Sequence, residues 1–134
     1  MKKICVILLA VVFSSCDYVT QYTFKVKNAT QETITLKFEQ QTHISQNAKE
    51  VILLPSEEKI VRVITFLNVP AHDCLTEHEM KHYEDCSNDL VFDTYVNGEK
   101  LDKQLWRPDN WMYNRKSKYS AEYTMTITEE MIEM

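Results

Sequence analysis

KYSAEYTMTIT, residues 118–128, decides the fold. Tyr119, Ala121, Tyr123, Met125 and Ile127 fall on one face, and Ser120, Glu122, Thr124, Thr126 and Thr128 on the other. Strict alternation over this length is the mark of a strand buried on one side; a helix would repeat its apolar positions every three to four residues. The same period recurs upstream. YTFKVKN (22–28) turns Tyr22, Phe24 and Val26 inward, and TITLKFE (33–39) does so with Ile34, Leu36 and Phe38. NATQE (28–32) lies between them as a turn, which predicts a hairpin. EVILLP (50–55) and KIVRVITFLNV (59–69) are separated by the turn signal PSEE (55–58), and Pro55 ends the first of them because it cannot donate to a central ladder. A further strand is predicted from Leu90 to Val96, followed by Asn97-Gly98, the strongest short hairpin signal. Short strands with turns at intervals of about ten residues argue for a β-sandwich or barrel.

The first sixteen residues carry an address. Lys2 and Lys3 precede an apolar run, Ile4 to Phe13, then Ser14, Ser15 and Cys16. The run falls well short of the roughly 20 residues a membrane-spanning helix needs, and it fits the apolar region of a secretory signal. The ending F-S-S-C resembles a bacterial lipobox, with Phe13 where an aliphatic residue is usual. That resemblance implies cleavage before Cys16 and lipidation of its thiol and new amino group, so the chain would be anchored to a membrane without crossing it. Residues 1–15 are therefore expected to be a lipoprotein signal, 16–21 a lipidated tether, and 22–134 a single domain.

Removing Lys2 and Lys3 with the signal leaves 13 basic against 20 acidic residues, a net charge of −7. Such a balance disfavours nucleic acid and anionic lipid headgroups as partners. A single glycine, Gly98, leaves no glycine-rich phosphate cradle. Of the four cysteines, Cys5 departs with the signal and Cys16 carries lipid. Cys74 and Cys86 remain, an even pair in a compartment that permits disulfides, and are expected to bond.

A lipobox, an early F-x-V-x-N strand, a mid-chain Ile/Val-rich strand ending near a proline, an L-V-F-D strand and a closing Y-T-M-T-I-T-E-E together resemble the small single-domain lipoproteins of Bacteroidetes-type bacteria. The resemblance implies an all-β, immunoglobulin-like sandwich of about seven antiparallel strands. It implies no catalytic residue, since its motifs are strand patterns and most such proteins have no assigned activity.

CLTEHEMKHYEDC (74–86) contains H-E-x-x-H, the spelling of a zinc peptidase site. There His78 and His82 would bind zinc on one helix face and Glu79 would act as general base on the bound water. The context opposes this. Lys81 sits inside the motif, Glu84 and Asp85 follow it, no third ligand is apparent, and a strand comes next rather than a helix. On one straight helix Cys74 and Cys86 would stand about 18 Å apart along the axis, whereas a disulfide needs their Cα atoms within about 7 Å. A bonded pair therefore folds the segment back into a short helical or irregular insert, closed by a link worth on the order of 3 kcal/mol. The reading preferred here is a stapled acidic loop with no metal; a metal site or hydrolase at His78, Glu79 and His82 is the alternative.

LWRPDNWMYNRK (105–116) reads as a loop broken by Pro108 and Asp109-Asn110. Trp106, Trp111 and Tyr113 on such a loop could stack on sugar rings or hold a peptide, or one tryptophan could cap the core instead. The sequence thus predicts a lipid-anchored, disulfide-closed sandwich of the bacterial cell envelope, at the outer membrane on its periplasmic or surface face. The expected role is a non-catalytic binding or accessory module without cofactor. Its alternatives are a glycan- or peptide-binding module using the 106–113 aromatics and a metal site at the HEMKH motif.

Overall fold

The computed structural model describes residues 18–39, 48–67, 69–75 and 90–133. They form an all-β sandwich. The strands are β1 (Val19–Asn28), β2 (Ile34–Phe38), β3 (Glu50–Leu53), β4 (Glu58–Leu67), β5 (Phe92–Val96), β6 (Glu99–Lys100), β7 (Met112–Ser117) and β8 (Ser120–Ile127), with a one-turn helix α1 (Glu129–Ile132) after the last. One sheet has the order β4-β1-β8-β7 and the other β3-β2-β5-β6. The immunoglobulin-like description holds as two packed sheets of short strands; the division here is four and four, with the second strand in the opposite sheet from the first.

The alternating apolar faces become the core. Tyr22, Phe24 and Val26 of β1, Ile34, Leu36 and Phe38 of β2, and Ala121, Tyr123, Met125 and Ile127 of β8 are all buried. Phe24 stacks on Tyr123 with ring centroids 4.8 Å apart. In β4 the alternation slips. Val61 and Arg62 are consecutive and both buried, because the register against β1 shifts between Phe24 and Lys25. Such a bulge sets two residues against one and re-aims a side chain. Arg62 is 2% exposed, with its guanidinium 3.6 Å above the Phe38 ring and Nη1 donating to the Ala48 carbonyl at 2.6 Å.

Several expectations are corrected. β1 and β2 are not a hairpin: they lie in different sheets, and the 28–33 turn carries the chain across the sandwich. Asn28 fixes that crossing. It is fully buried, its amide donates to the carbonyls of Glu32 and Leu53, and its side-chain oxygen accepts from the Thr30 amide and hydroxyl. The pairs are not all antiparallel either, since β1 and β8 run parallel from Gln21↔Ser120 to Asn28↔Ile127. The first and last strands of the domain thus lie side by side and point to the same end. The expected tether loses Val19, Thr20 and Gln21 to β1, where Val19 pairs with Leu67 and Thr20 is fully buried. Residues 112–116, expected within a loop, fall in edge strand β7. The Asn97-Gly98 hairpin is as expected. It joins β5 to β6 with φ of +49° and +87°, the left-handed pair that a tight β-turn requires.

Candidate functional site

The strand directions give the sandwich two ends. β1 begins, β4 ends and the β7–β8 turn lies at one of them. The 28–33, 54–57 and 97–98 turns and α1 lie at the other. The first described residues, Tyr18 and Val19, lie at the first end. The segment 69–75 is at that end as well.

The segment 69–75 is the described root of the CLTEHEMKHYEDC stretch. Two core tyrosines hold it. The hydroxyl of Tyr22 accepts from the His72 backbone amide at 3.1 Å and meets the His72 ring Nδ1 at 3.1 Å. The hydroxyl of Tyr123 donates to Asp73 Oδ1 at 2.8 Å and lies 3.6 Å from Cys74 Sγ. Burial, with the Asp73 carboxylate beside it, pushes the Tyr123 hydroxyl far above its ordinary range. It therefore stays protonated and donating at any physiological pH. The backbone closes the joint: the Ala71 amide donates to the Lys118 carbonyl at 2.7 Å, and the Thr20 hydroxyl donates to the Val69 carbonyl. Each tyrosine rises from the inner face of β1 or β8 and places its polar tip at the sandwich rim, the usual division of labour in an amphipathic ring.

This cluster was not legible in the sequence. Tyr22 and His72 are 50 positions apart, as are Tyr123 and Asp73. Cys74 and Leu75 are buried at 3% and 2%, so the stretch begins as part of the core. Cys86, His78, Glu79 and His82 lie outside the described residues, and so does the pairing of Cys74 with Cys86. Among the described residues no group of three histidine, cysteine, aspartate or glutamate side chains could hold a metal ion.

The aromatic segment separates into parts. Trp111 is 8% exposed, packs edge-on against Phe24 at 5.4 Å, and donates from Nε1 to the Trp106 carbonyl at 3.2 Å. A ring so placed caps the core and presents no face to a sugar, which removes Trp111 from the expected ligand-binding set. Trp106 and Tyr113 are partly buried and packed against the core, with the Tyr113 ring 5.2 Å from that of Tyr123. A 3-10 turn at Pro108–Asn110 makes the bend, and Asn110 locks it by donating to the Leu105 carbonyl at 2.9 Å. At the end of the sandwich away from Tyr18, Glu32, Glu99, Glu129 and Glu133 surround an open cavity of about 410 Å³ floored by Val96, Leu101 and Ile132.

Compared with known proteins, the chain matches no family model, no curated sequence and no solved structure.

Proposed function

We propose that the protein is a lipid-anchored component of the bacterial cell envelope, held at the outer membrane through Cys16, and that it acts as a non-catalytic binding or accessory module for a protein or glycan ligand. One observation carries the reading. The fold takes up the chain at Val19, so only Asp17 and Tyr18 separate it from the cysteine of the lipobox-like F-S-S-C. A chain built this way delivers a folded body directly to a membrane surface, without a flexible arm. The resemblance to Bacteroidetes-type lipoproteins points the same way. No helix among the described residues is long and apolar enough to cross a membrane. The body is an all-β scaffold stiffened by buried aromatic pairs, the kind of support on which binding loops are commonly carried. The pairing of Cys74 with Cys86 belongs to the same proposal, as a staple on the stretch that Tyr22 and Tyr123 root to the rim.

The test is fractionation of cells expressing the Cys16→Ala variant. The variant should leave the membrane fraction, or remain as unprocessed precursor. A correctly cleaved Cys16→Ala protein retained in the membrane as fully as the natural one would overturn the proposal.

A further inference from the structure

The side chains at the end where β1 begins, exposed at Tyr18, Val19 and Leu67 and half-buried at Tyr119, point to a second membrane contact. We infer that this end of the sandwich seats directly in the interface of the bilayer that holds the Cys16 lipid, through Tyr18, Val19, Leu67 and Tyr119, with Lys116 and Lys118 reaching lipid phosphates at its edge. The inference rests on the proposed lipidation of Cys16.

Reach comes first. Three residue steps from Cys16 to Val19 span at most about 11 Å even when fully extended. With a lipid on Cys16, the first residue of β1 cannot stand further than that from a residue fixed at headgroup level. The end of the sandwich is therefore held against the membrane whatever path Asp17 and Tyr18 take.

Surface chemistry comes second. Val19 and Leu67 are register partners at the open ends of β1 and β4, exposed at 53% and 62%. Tyr18 is 58% exposed and stacks on Tyr119 with ring centroids 4.8 Å apart and planes within 3°. The Lys118 ammonium lies 5.4 Å above the other member of that stack, Tyr119. Two tyrosines with flanking aliphatics and lysines is the composition that settles at a bilayer interface, where a ring is amphipathic and a lysine stem lies along apolar surface with its charge in the headgroups. The described segments that build this end, 18–24, 62–67, 69–75 and 114–121, contain exposed Arg115, Lys116 and Lys118, the buried Arg62, and one acidic residue, Asp73. Nearby Asp73 is engaged by Tyr123, and Glu122 is bridged to Lys25 at 3.2 Å. The overall charge of −7 disfavours anionic lipid only as an average; Arg115, Lys116 and Lys118 are exposed at the end that faces the lipid.

The experiment uses the full-length protein processed in cells, purified and reconstituted into vesicles of phosphatidylethanolamine and phosphatidylglycerol. Its lysines are acetylated with an impermeant reagent and read by peptide mass. Natural protein is compared with the Tyr18→Ser/Leu67→Ser variant, whose two sites are exposed enough to leave the fold intact. Lys116 and Lys118 should label roughly fivefold faster in the variant, the change that about 1 kcal/mol per surface-held lysine corresponds to. Lys59, Lys100 and Lys103 near the far end should label equally in both. A second variant, Lys118→Glu, read at Lys116, gives the same comparison without touching the apolar residues. Equal labelling of Lys116 in natural protein and both variants overturns the seat. The mass of the Cys16 peptide reports the anchor separately: a lipidated chain with unprotected Lys116 and Lys118 fails the seat and keeps the anchor, whereas an unlipidated chain removes both.

Discussion

Replacing Trp111 by alanine separates a core residue from a ligand platform. The indole is 8% exposed, edge-on to Phe24, and its Nε1 donates to the Trp106 carbonyl. Truncation deletes the ring's burial and leaves a cavity beside the Phe24–Tyr123 stack, a loss of about 3–5 kcal/mol for a buried tryptophan. The Trp106 carbonyl also loses its donor, an orphaned acceptor of the kind that costs about 1–3 kcal/mol when fully buried. Trp106 is only partly buried and water can take the donor's place, so the ring's own term dominates. For a domain of this size each kcal/mol shifts the melting midpoint by about 4 °C, so Trp111→Ala should melt roughly 12–20 °C below the natural protein. Met112→Ala is the control next door: at 71% exposure it should stay within about 0.5 kcal/mol. The assay is thermal unfolding followed by far-ultraviolet circular dichroism, with urea unfolding alongside. A Trp111→Ala protein melting within about 2 °C of the natural one, on the scale just given, would refute the placement of this ring in the core.

Two further substitutions probe the joints. Tyr123→Phe keeps the ring stacked on Phe24 but removes the donor to Asp73, and should cost about 1–3 kcal/mol in urea unfolding while leaving the circular dichroism spectrum unchanged; no loss would mean that the hydroxyl does not hold the 69–75 segment. Ser56 sits at φ +70° in the turn between β3 and β4, after Pro55 and with the Glu57 amide donating to the Leu54 carbonyl at 3.0 Å. A turn of this form favours glycine at that position, and Ser56→Gly should raise stability by up to about 1 kcal/mol. A lower melting temperature would show that the serine side chain contributes more than its backbone conformation costs.

The strands were legible because each core strand is buried on one face, which writes its period into the sequence. β8 carries its pattern without a break, and the Asn97-Gly98 turn needs only its own two residues. Features set by more distant partners were not legible. The NATQE turn marks a reversal, but whether the chain returns to the same sheet depends on what pairs with β2, and the buried Asn28 bonds to Leu53 on β3 to settle it. β7 is an edge strand with little inward face, so MYNRKS shows no alternation to find. The end of the 16–21 tether is not legible because Thr20 is polar, yet it is fully buried with its hydroxyl donating to the Val69 carbonyl. Val61 and Arg62 break the period of β4 through a bulge that only its partner strand defines. Trp111 illustrates the limit for the candidate site, since a tryptophan beside Pro and Asn is equally at home in a binding loop or a core cap. The tyrosine clasp on His72 and Asp73 joins residues fifty positions apart and leaves no local trace.

Anchoring through Cys16 is tested most directly by the mass of the N-terminal peptide of the protein purified from its own membranes. That peptide should begin at Cys16, with a diacylglyceryl group in thioether linkage to its sulfur, and continue through Asp17 and Tyr18 into the sequence of β1. A peptide that begins elsewhere, or one that carries Cys16 unmodified, would contradict it.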